Sequence, residues 1–247
     1  YSLWATPSVD VVASLGAAPF RMDEWGVDVA IGASQKALMG PPGLAFVAAN
    51  PRARAVAADA LRPRHYWDWA YRAGAEGYRR FCGTAPEHGL FALQAALQML
   101  REEGLAAAQL RHARLARAVW HAVEAWGAAG DLCLNALRPD ERSTSVTTIL
   151  TPAGFDSGRV REHARAYRGV ALGGGLGALA GRAFRIGHLG DLNEPMILGC
   201  LAAVELTLRD LGLRCGRDGL PTAIDSLAAS ESRPGTPVGP ELAVAIA

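Results

Sequence analysis

Hydrophobic and polar positions alternate from Val27 to Gly32: Val27, Val29 and Ile31 are apolar, with Asp28, Ala30 and Gly32 between them. A period of two predicts a short strand with one buried face. Met39-Gly40-Pro41-Pro42-Gly43 then forms a double-proline turn that neither strand nor helix can continue, and Leu44 to Ala49 resumes an apolar run of strand length. Upstream, Val9-Asp10-Val11-Val12 is β-prone, with Asp10 interrupting it ahead of small residues. Residues 51–61, rich in alanine and arginine, predict a short exposed helix. Helical spacing takes over further on. Leu90, Phe91, Leu93, Leu97, Met99 and Leu100 lie mostly on one side of a helix over residues 87–103, which Gly104 ends. A second helix is expected from Leu105 to Trp126, with Leu110, Leu115, Val119, Val123 and Trp126 apolar and Arg111, Arg114 and Arg117 forming a solvated face.

Shorter elements follow. Residues 145–150 read as a β-branched strand, 156–167 as a helix and 170–172 as another strand. The run Gly173-Gly174-Gly175-Leu176-Gly177 resembles a dinucleotide fingerprint superficially, but a strand over 183–186 follows it rather than a helix with an acidic residue beyond. A flexible structural loop is the expectation there. Asn193 caps the next helix and Pro195 fits its first turn. Ile197, Leu198, Leu201, Val204, Leu208 and Leu211 form its buried stripe up to Gly212. From Ser230 onward proline, glycine, serine and threonine dominate, which predicts a disordered tail.

Composition narrows the class. The 247 residues are half hydrophobic with a formal charge of +1, so nothing invites nucleic acid or an acidic membrane. No apolar run reaches the length of a transmembrane helix and no signal peptide is visible, so a cytoplasmic location is expected. Cys82, Cys133, Cys200 and Cys215 lack metal-ligand spacing and read as reduced thiols. The aromatic and basic stretch 63–80 could stack bases, but the balanced charge weighs against that reading.

Two residues carry the chemistry. Lys36 stands alone on a rigid loop between two core strands, where an ammonium is costly to bury unless it is paired or chemically used. Schiff-base lysines require such a placement: a partly desolvated amine on backbone that does not move. Asp10, at a strand end 26 positions earlier, could hold a pyridine nitrogen protonated while the lysine carries an aldehyde. That pairing suits pyridoxal phosphate, although by residue type and spacing alone a surface lysine and a turn aspartate are the commoner arrangement. Arg185, between Phe184 and Ile186, calls for an anionic partner, either a ligand or Asp191 or Glu194 within the chain.

The string VDVVASLGAAPFRMDEWGVDVAIGASQKALMGPPGLAFVA resembles the class V aminotransferases of fold type I, in particular the serine–glyoxylate and alanine–glyoxylate group. Further matching motifs are PRHYWDW, FALQAALQMLREEGL, SVTTILTPAGFD and GRAFRIGHLGDLNEPMILG, in order over residues 9–228. The resemblance implies an α/β fold of the aspartate-aminotransferase type. It also implies an incomplete large domain (residues 1–104, the N-terminal part missing), a small C-terminal α+β domain (105–229) and the tail (230–247). Lys36 would hold pyridoxal phosphate, Asp10 would face the pyridine nitrogen, Val12 would pack on the ring, and Gln35 and Thr84 would help hold the phosphate. Thr84 would reach the cofactor of a partner subunit in a homodimer, and Arg185 would take the substrate α-carboxylate. His188 is given no role beyond packing. The implied substrates are serine or alanine as amino donor and glyoxylate or another small 2-oxo acid as acceptor. The rivals are a non-catalytic remnant of such an enzyme, a dinucleotide-binding domain, and a cysteine desulfurase, whose loop cysteine none of the four thiols matches in context.

Overall fold

The structure, a computed structural model, describes residues 6–73, 77–128 and 130–229. The tail expected from Ser230 lies outside the described residues. The chain divides into two compact units. The first comprises Tyr1–His112, Ser143–Val146 and His188–Leu192; the second comprises Ala113–Arg142, Thr147–Gly187 and Asn193–Ala247.

In the first unit β1 (Ser8–Asp10), β2 (Val29–Ala33) and β3 (Ala45–Ala49) form a sheet in that order. β1 runs parallel to β2 with Asp10 opposite Ile31, and β3 returns antiparallel with Val47 opposite Ile31. The expected alternation holds only in part. Asp28, Val29 and Ala30 are all buried, whereas Ile31 is 43% exposed. Asp28 tolerates burial because its carboxylate accepts from Asn50 Nδ2 at 2.6 Å and Arg52 Nε at 2.9 Å. The Arg52 hydrogen bond, aided by Asn50, holds that carboxyl below the usual range.

Asn50 also caps α1 (Pro51–Asp59) by accepting from the Ala53 N–H. The short helices α2 (Trp69–Arg72) and α3 (Gly77–Phe81) lead to α4 (Glu87–Glu103). Gly104, at a φ of +87°, separates α4 from α5 (Leu105–Gly127), as the sequence anticipates. The buried stripe of α4 is narrower than expected: Leu93, Ala96 and Leu100 are inside, and Phe91 and Met99 are exposed. Leu100, Ala108 of α5 and Leu38 form a core with Leu15, Met39 and Phe46 around it.

The remainder of α5 belongs to the second unit and buries Leu115, Val119, Val123 and Trp126. β4 (Cys133–Leu134), β5 (Val146–Leu150), α6 (Gly158–Arg168), β6 (Gly173–Gly174), β7 (Ala183–Gly187), α7 (Glu194–Asp210) and α8 (Gly219–Ala229) complete the described chain. The sheet order is β4-β5-β7-β6. No strand forms over 170–172; it forms instead at Gly173–Gly174, antiparallel to Arg185 and Phe184. The two glycines are closely packed: a Cβ on Gly173 would lie 3.3 Å from Arg185 Nε and one on Gly174 3.0 Å from Arg161 Nη1. Two residues of the glycine run are thus strand, while Gly175 and Leu176 form the loop that the sequence leads one to expect. Asn193 caps α7 through the Met196 N–H at 3.0 Å, and Ile197, Leu201, Val204 and Leu208 are buried along it.

The arginine face expected on α5 needs correcting. Only Arg117 is exposed, while Arg111 is largely covered and Arg114 is buried. Each covered guanidinium has a carboxylate partner, Glu103 for Arg111 and Glu194 for Arg114, which offsets the loss of water.

Candidate active site

The geometry begins with the parallel pair. Because β1 and β2 run the same way in register, Asp10 and the segment after Ala33 leave the sheet at the same end. In open α/β sheets that carboxyl end is where ligands bind. Asp10 ends β1; its Oδ1 accepts from the Val12 N–H at 2.8 Å, and the side chain is exposed. Its other oxygen has no protein partner among the described residues. Val12, half-buried, follows it directly.

Lys36 lies in the turn between β2 and β3, half-buried, with Gln35 exposed beside it. Ser34 is the hub of this turn. It is fully buried, its N–H donates to the Leu44 carbonyl at 3.1 Å, its carbonyl accepts from Gly40 at 2.9 Å, and its hydroxyl donates to the Pro41 carbonyl at 2.5 Å. The Lys36 carbonyl accepts from the Met39 N–H at 2.9 Å, with Met39 in the left-handed region at a φ of 63°. A non-glycine residue there is costly and persists where surrounding bonds over-determine it. The rigid lysine loop expected from the double proline is thus present, and the buried serine does as much as the prolines to make it. Among the described residues no carboxylate pairs with the Lys36 amine.

The loop after Asp10 touches this turn. A Cβ on Gly16, whose φ is +95°, would lie 3.3 Å from Ala37 Cβ. The same loop is tied down by Thr144, whose hydroxyl donates to the Ala17 carbonyl at 2.9 Å, and by Gln109, which donates to the Ala18 carbonyl at 3.2 Å. The first unit thus brings together Asp10, Val12, Gln35 and Lys36 on two contiguous loops. Thr84 lies elsewhere in that unit. It is exposed on the wall of a cavity of about 890 Å³ lined also by Ile31, Val47, Tyr66, Trp67 and Phe81, and neither Asp10 nor Lys36 lines it.

Arg185 belongs to the second unit, half-buried on β7 and held by a 2.6 Å bond from Nε to the Gly174 carbonyl. Among the described residues no carboxylate pairs with it; Glu194 is engaged by Arg114. The internal salt bridge considered for it is therefore not formed. His188 is fully buried, as a packed histidine should be, and burial pushes its pKa down to about 4. Burial raises the Cys200 thiol to about 11 and raises Cys215 as well, so neither supplies a thiolate near neutral pH.

Two signals were missed in the sequence. Lys36 is the only lysine among 25 lysine and arginine residues. Arginine cannot serve as a nucleophilic amine, so a single lysine among so many arginines marks its position out. His112 was also passed over, although it is a fully buried polar residue on α5, and its part is taken up below.

The fold is that of the pyridoxal-phosphate-dependent transferases of fold type I. Ureidoglycine–glyoxylate aminotransferase from Bacillus subtilis superposes with a TM-score of 0.79 at 30% identity, over 90% of this chain and 57% of that one. Pyridoxamine–pyruvate aminotransferase from Mesorhizobium loti gives 0.79 at 28% identity over the same shares, 90% and 57%. The aminotransferase class-V family matches residues 5–178, and the chain belongs to that family. Among curated relatives, L-aspartate–glyoxylate aminotransferase of Paracoccus denitrificans is 44% identical over 83% of this chain and 51% of its own length. Serine–glyoxylate aminotransferases of Methylorubrum extorquens and Arabidopsis thaliana are each 42% identical over 83% of this chain, and 52% and 50% of their own lengths. The chain spans about half the length of the curated relatives it matches. No described helix is long and apolar enough to cross a membrane.

Proposed function

We propose that this chain forms part of a pyridoxal-phosphate-dependent aminotransferase that moves an amino group from serine or alanine to glyoxylate or another small 2-oxo acid. The observation that carries the reading is the parallel register of β1 and β2, which sends Asp10 and the Lys36 turn off the same end of the sheet. The donor set fits the cofactor. One Asp10 oxygen remains open beside the oxygen that binds Val12, and the Lys36 amine has no carboxylate on it among the described residues. When bound, pyridoxal phosphate would supply an electron sink conjugated, through the amino nitrogen, to the α-carbon of the amino acid.

Each residue has its own part. Lys36 would hold the cofactor through its amine, and the same amine is placed to take the α-proton of the amino acid. The Asp10 carboxylate holds the proton on the pyridine nitrogen. Val12 packs against the ring, and Gln35 and Thr84 serve the phosphate. Arg185 forks onto the substrate α-carboxylate, a planar pairing to which guanidinium is suited. Trp67, 74% exposed, and the neighbouring Tyr66 and Tyr78 fit burial against a second subunit of a homodimer, to which Thr84 would contribute. The curated relatives described above are named for glyoxylate and differ in the donor, aspartate or serine, which supports the acceptor more than the donor.

Borohydride reduction of the purified protein in the presence of pyridoxal phosphate, followed by peptide mapping, is expected to place the cofactor on Lys36. Glyoxylate turnover with serine, alanine or aspartate is expected to vanish in Lys36→Ala. Undiminished turnover in that variant, or a label confined to another site, would sink the assignment.

A further inference from the structure

The Lys36 turn is braced from outside its own strand pair. A Cβ on Gly190 would lie 3.6 Å from the Lys36 carbonyl oxygen and 4.0 Å from Met39 Cγ, so the buried Gly190 backs this turn directly. With a φ of +90°, Gly190 occupies a conformation that side chains disfavour. Three hydrogen bonds from α5 hold the segment. The Gly190 N–H donates to His112 Nε2 at 2.9 Å, while Arg111 Nη1 donates to the Gly190 carbonyl at 2.7 Å and the Leu192 carbonyl at 3.0 Å. Arg111 is itself fixed by two parallel bonds to Glu103, at 2.6 and 2.8 Å.

His112 can fill this place in one tautomer only. Its Nδ1 lies 2.6 Å from the Ala108 carbonyl, which can only accept, so Nδ1 carries the hydrogen. Nε2 then presents a lone pair to the Gly190 N–H. The far end of the same segment reaches the aspartate loop. His188 Nδ1 donates to the Thr144 carbonyl at 3.0 Å, and the Thr144 hydroxyl donates to the Ala17 carbonyl at 2.9 Å. The His188–Leu192 segment therefore contacts the lysine turn through Gly190 and joins the loop after Asp10 through Thr144.

We propose that His112 is a positioning residue: by accepting the Gly190 N–H it fixes Gly190 against the Lys36 carbonyl and sets the backbone from which the Lys36 amine acts. The role rests on the reading of Lys36 as the cofactor-bearing amine. A side chain without an acceptor at this place leaves a buried N–H unpaired and releases the turn. Displacement of a reacting group by about 1 Å can lower turnover roughly hundredfold, which is the scale of loss expected.

The test compares His112→Leu with His112→Gln, whose amide oxygen can replace Nε2 as acceptor. Hydrogen–deuterium exchange is followed over residues 34–43 and, as a control, over α7, alongside borohydride labelling and steady-state kinetics. His112→Leu should speed exchange in the lysine turn about tenfold or more while α7 changes less than about twofold. Labelling of Lys36 should slow, and kcat should fall with the KM for the amino donor nearly unchanged. His112→Gln should restore most of each. Unchanged exchange in the turn, a rise shared equally by α7, or no rescue by glutamine would overturn the positioning role. Absence of label on Lys36 in the unsubstituted protein would instead overturn the underlying reading of Lys36, and with it this role.

Discussion

Acidification should loosen the first unit through His188, and the size of the effect follows from its surroundings. The ring is fully buried, its Nδ1–H is spent on the Thr144 carbonyl, and His112 lies close enough to disfavour a second positive charge. Burial is the main cause of its low pKa, about 4 against an ordinary 6.5. In the unfolded chain the same imidazole takes a proton near 6.5. The unfolded state therefore binds more protons between these values, and stability is full above about pH 6.5 and lost as pH falls towards 4. At about 1.4 kcal/mol per unit the loss approaches roughly 3 kcal/mol once both states are protonated, and about 2 kcal/mol is gone by pH 5. His112, whose pKa burial also lowers, adds in the same direction.

Carboxylates contribute to any acid profile, so the assay is a difference. Urea unfolding at pH 7.5 and pH 5.0 is measured for the protein and for His188→Asn, which keeps a donor for the Thr144 carbonyl but does not titrate. The stability lost between the two pH values should be smaller in the variant by about 2 kcal/mol. An equal loss in both proteins would refute the assignment of a buried, neutral His188.

Two other outcomes are expected. Asp10→Asn should leave far-UV circular dichroism unchanged while lowering kcat about hundredfold or more, the scale of removing one charge-stabilising group from an active site; near-normal turnover would remove Asp10 from the chemistry. Glu205→Ala should destabilise the second unit by about 2–4 kcal/mol in denaturant titration, because it strips the acceptor from the fully buried Trp126 indole N–H and from the Leu220 N–H, at 3.0 and 3.2 Å. Glu205→Gln, which keeps an oxygen for both, should lose less than half as much, and equal losses would show that these bonds are not what Glu205 contributes.

The sequence was most legible where the determinants are local. Gly104 and the spacing of Leu93 and Leu100 suffice to place both ends of α4, and the double proline with the alternating run before it suffices to place the Lys36 turn between two strands. What escaped depends on partners far along the chain. Arg111 and Arg114 read as a wet helix face because nothing nearby in sequence shows that Glu194 covers Arg114, or that the Gly190 carbonyl, 79 residues away, receives Arg111. Ile31 reads as inward because alternation assumes one wet face, whereas buried Asp28 is neutralised by Arg52, 24 residues on. The two-residue strand at Gly173–Gly174 was missed because glycine carries no β signal; it is defined by its pairing with Arg185 and Phe184 of β7.

The same distinction explains how the candidate site is built. Asp10 and Lys36 are positioned by β1 and β2, two strands short enough to be read from a handful of residues, and both loops would be loose if nothing else held them. Precision comes from Ser34 inside the lysine turn and from remote segments: Gly190 behind that turn, and the half-buried Thr144 and Gln109 on the loop after Asp10. Most of these contacts end on backbone atoms, so they fix where the chain runs and leave the Lys36 amine and one Asp10 oxygen unspent. If this is the active site proposed above, a change of amino donor would be written in side chains without disturbing the backbone that holds Lys36. The Paracoccus denitrificans and Methylorubrum extorquens relatives, named for aspartate and for serine with the same glyoxylate, differ in that way.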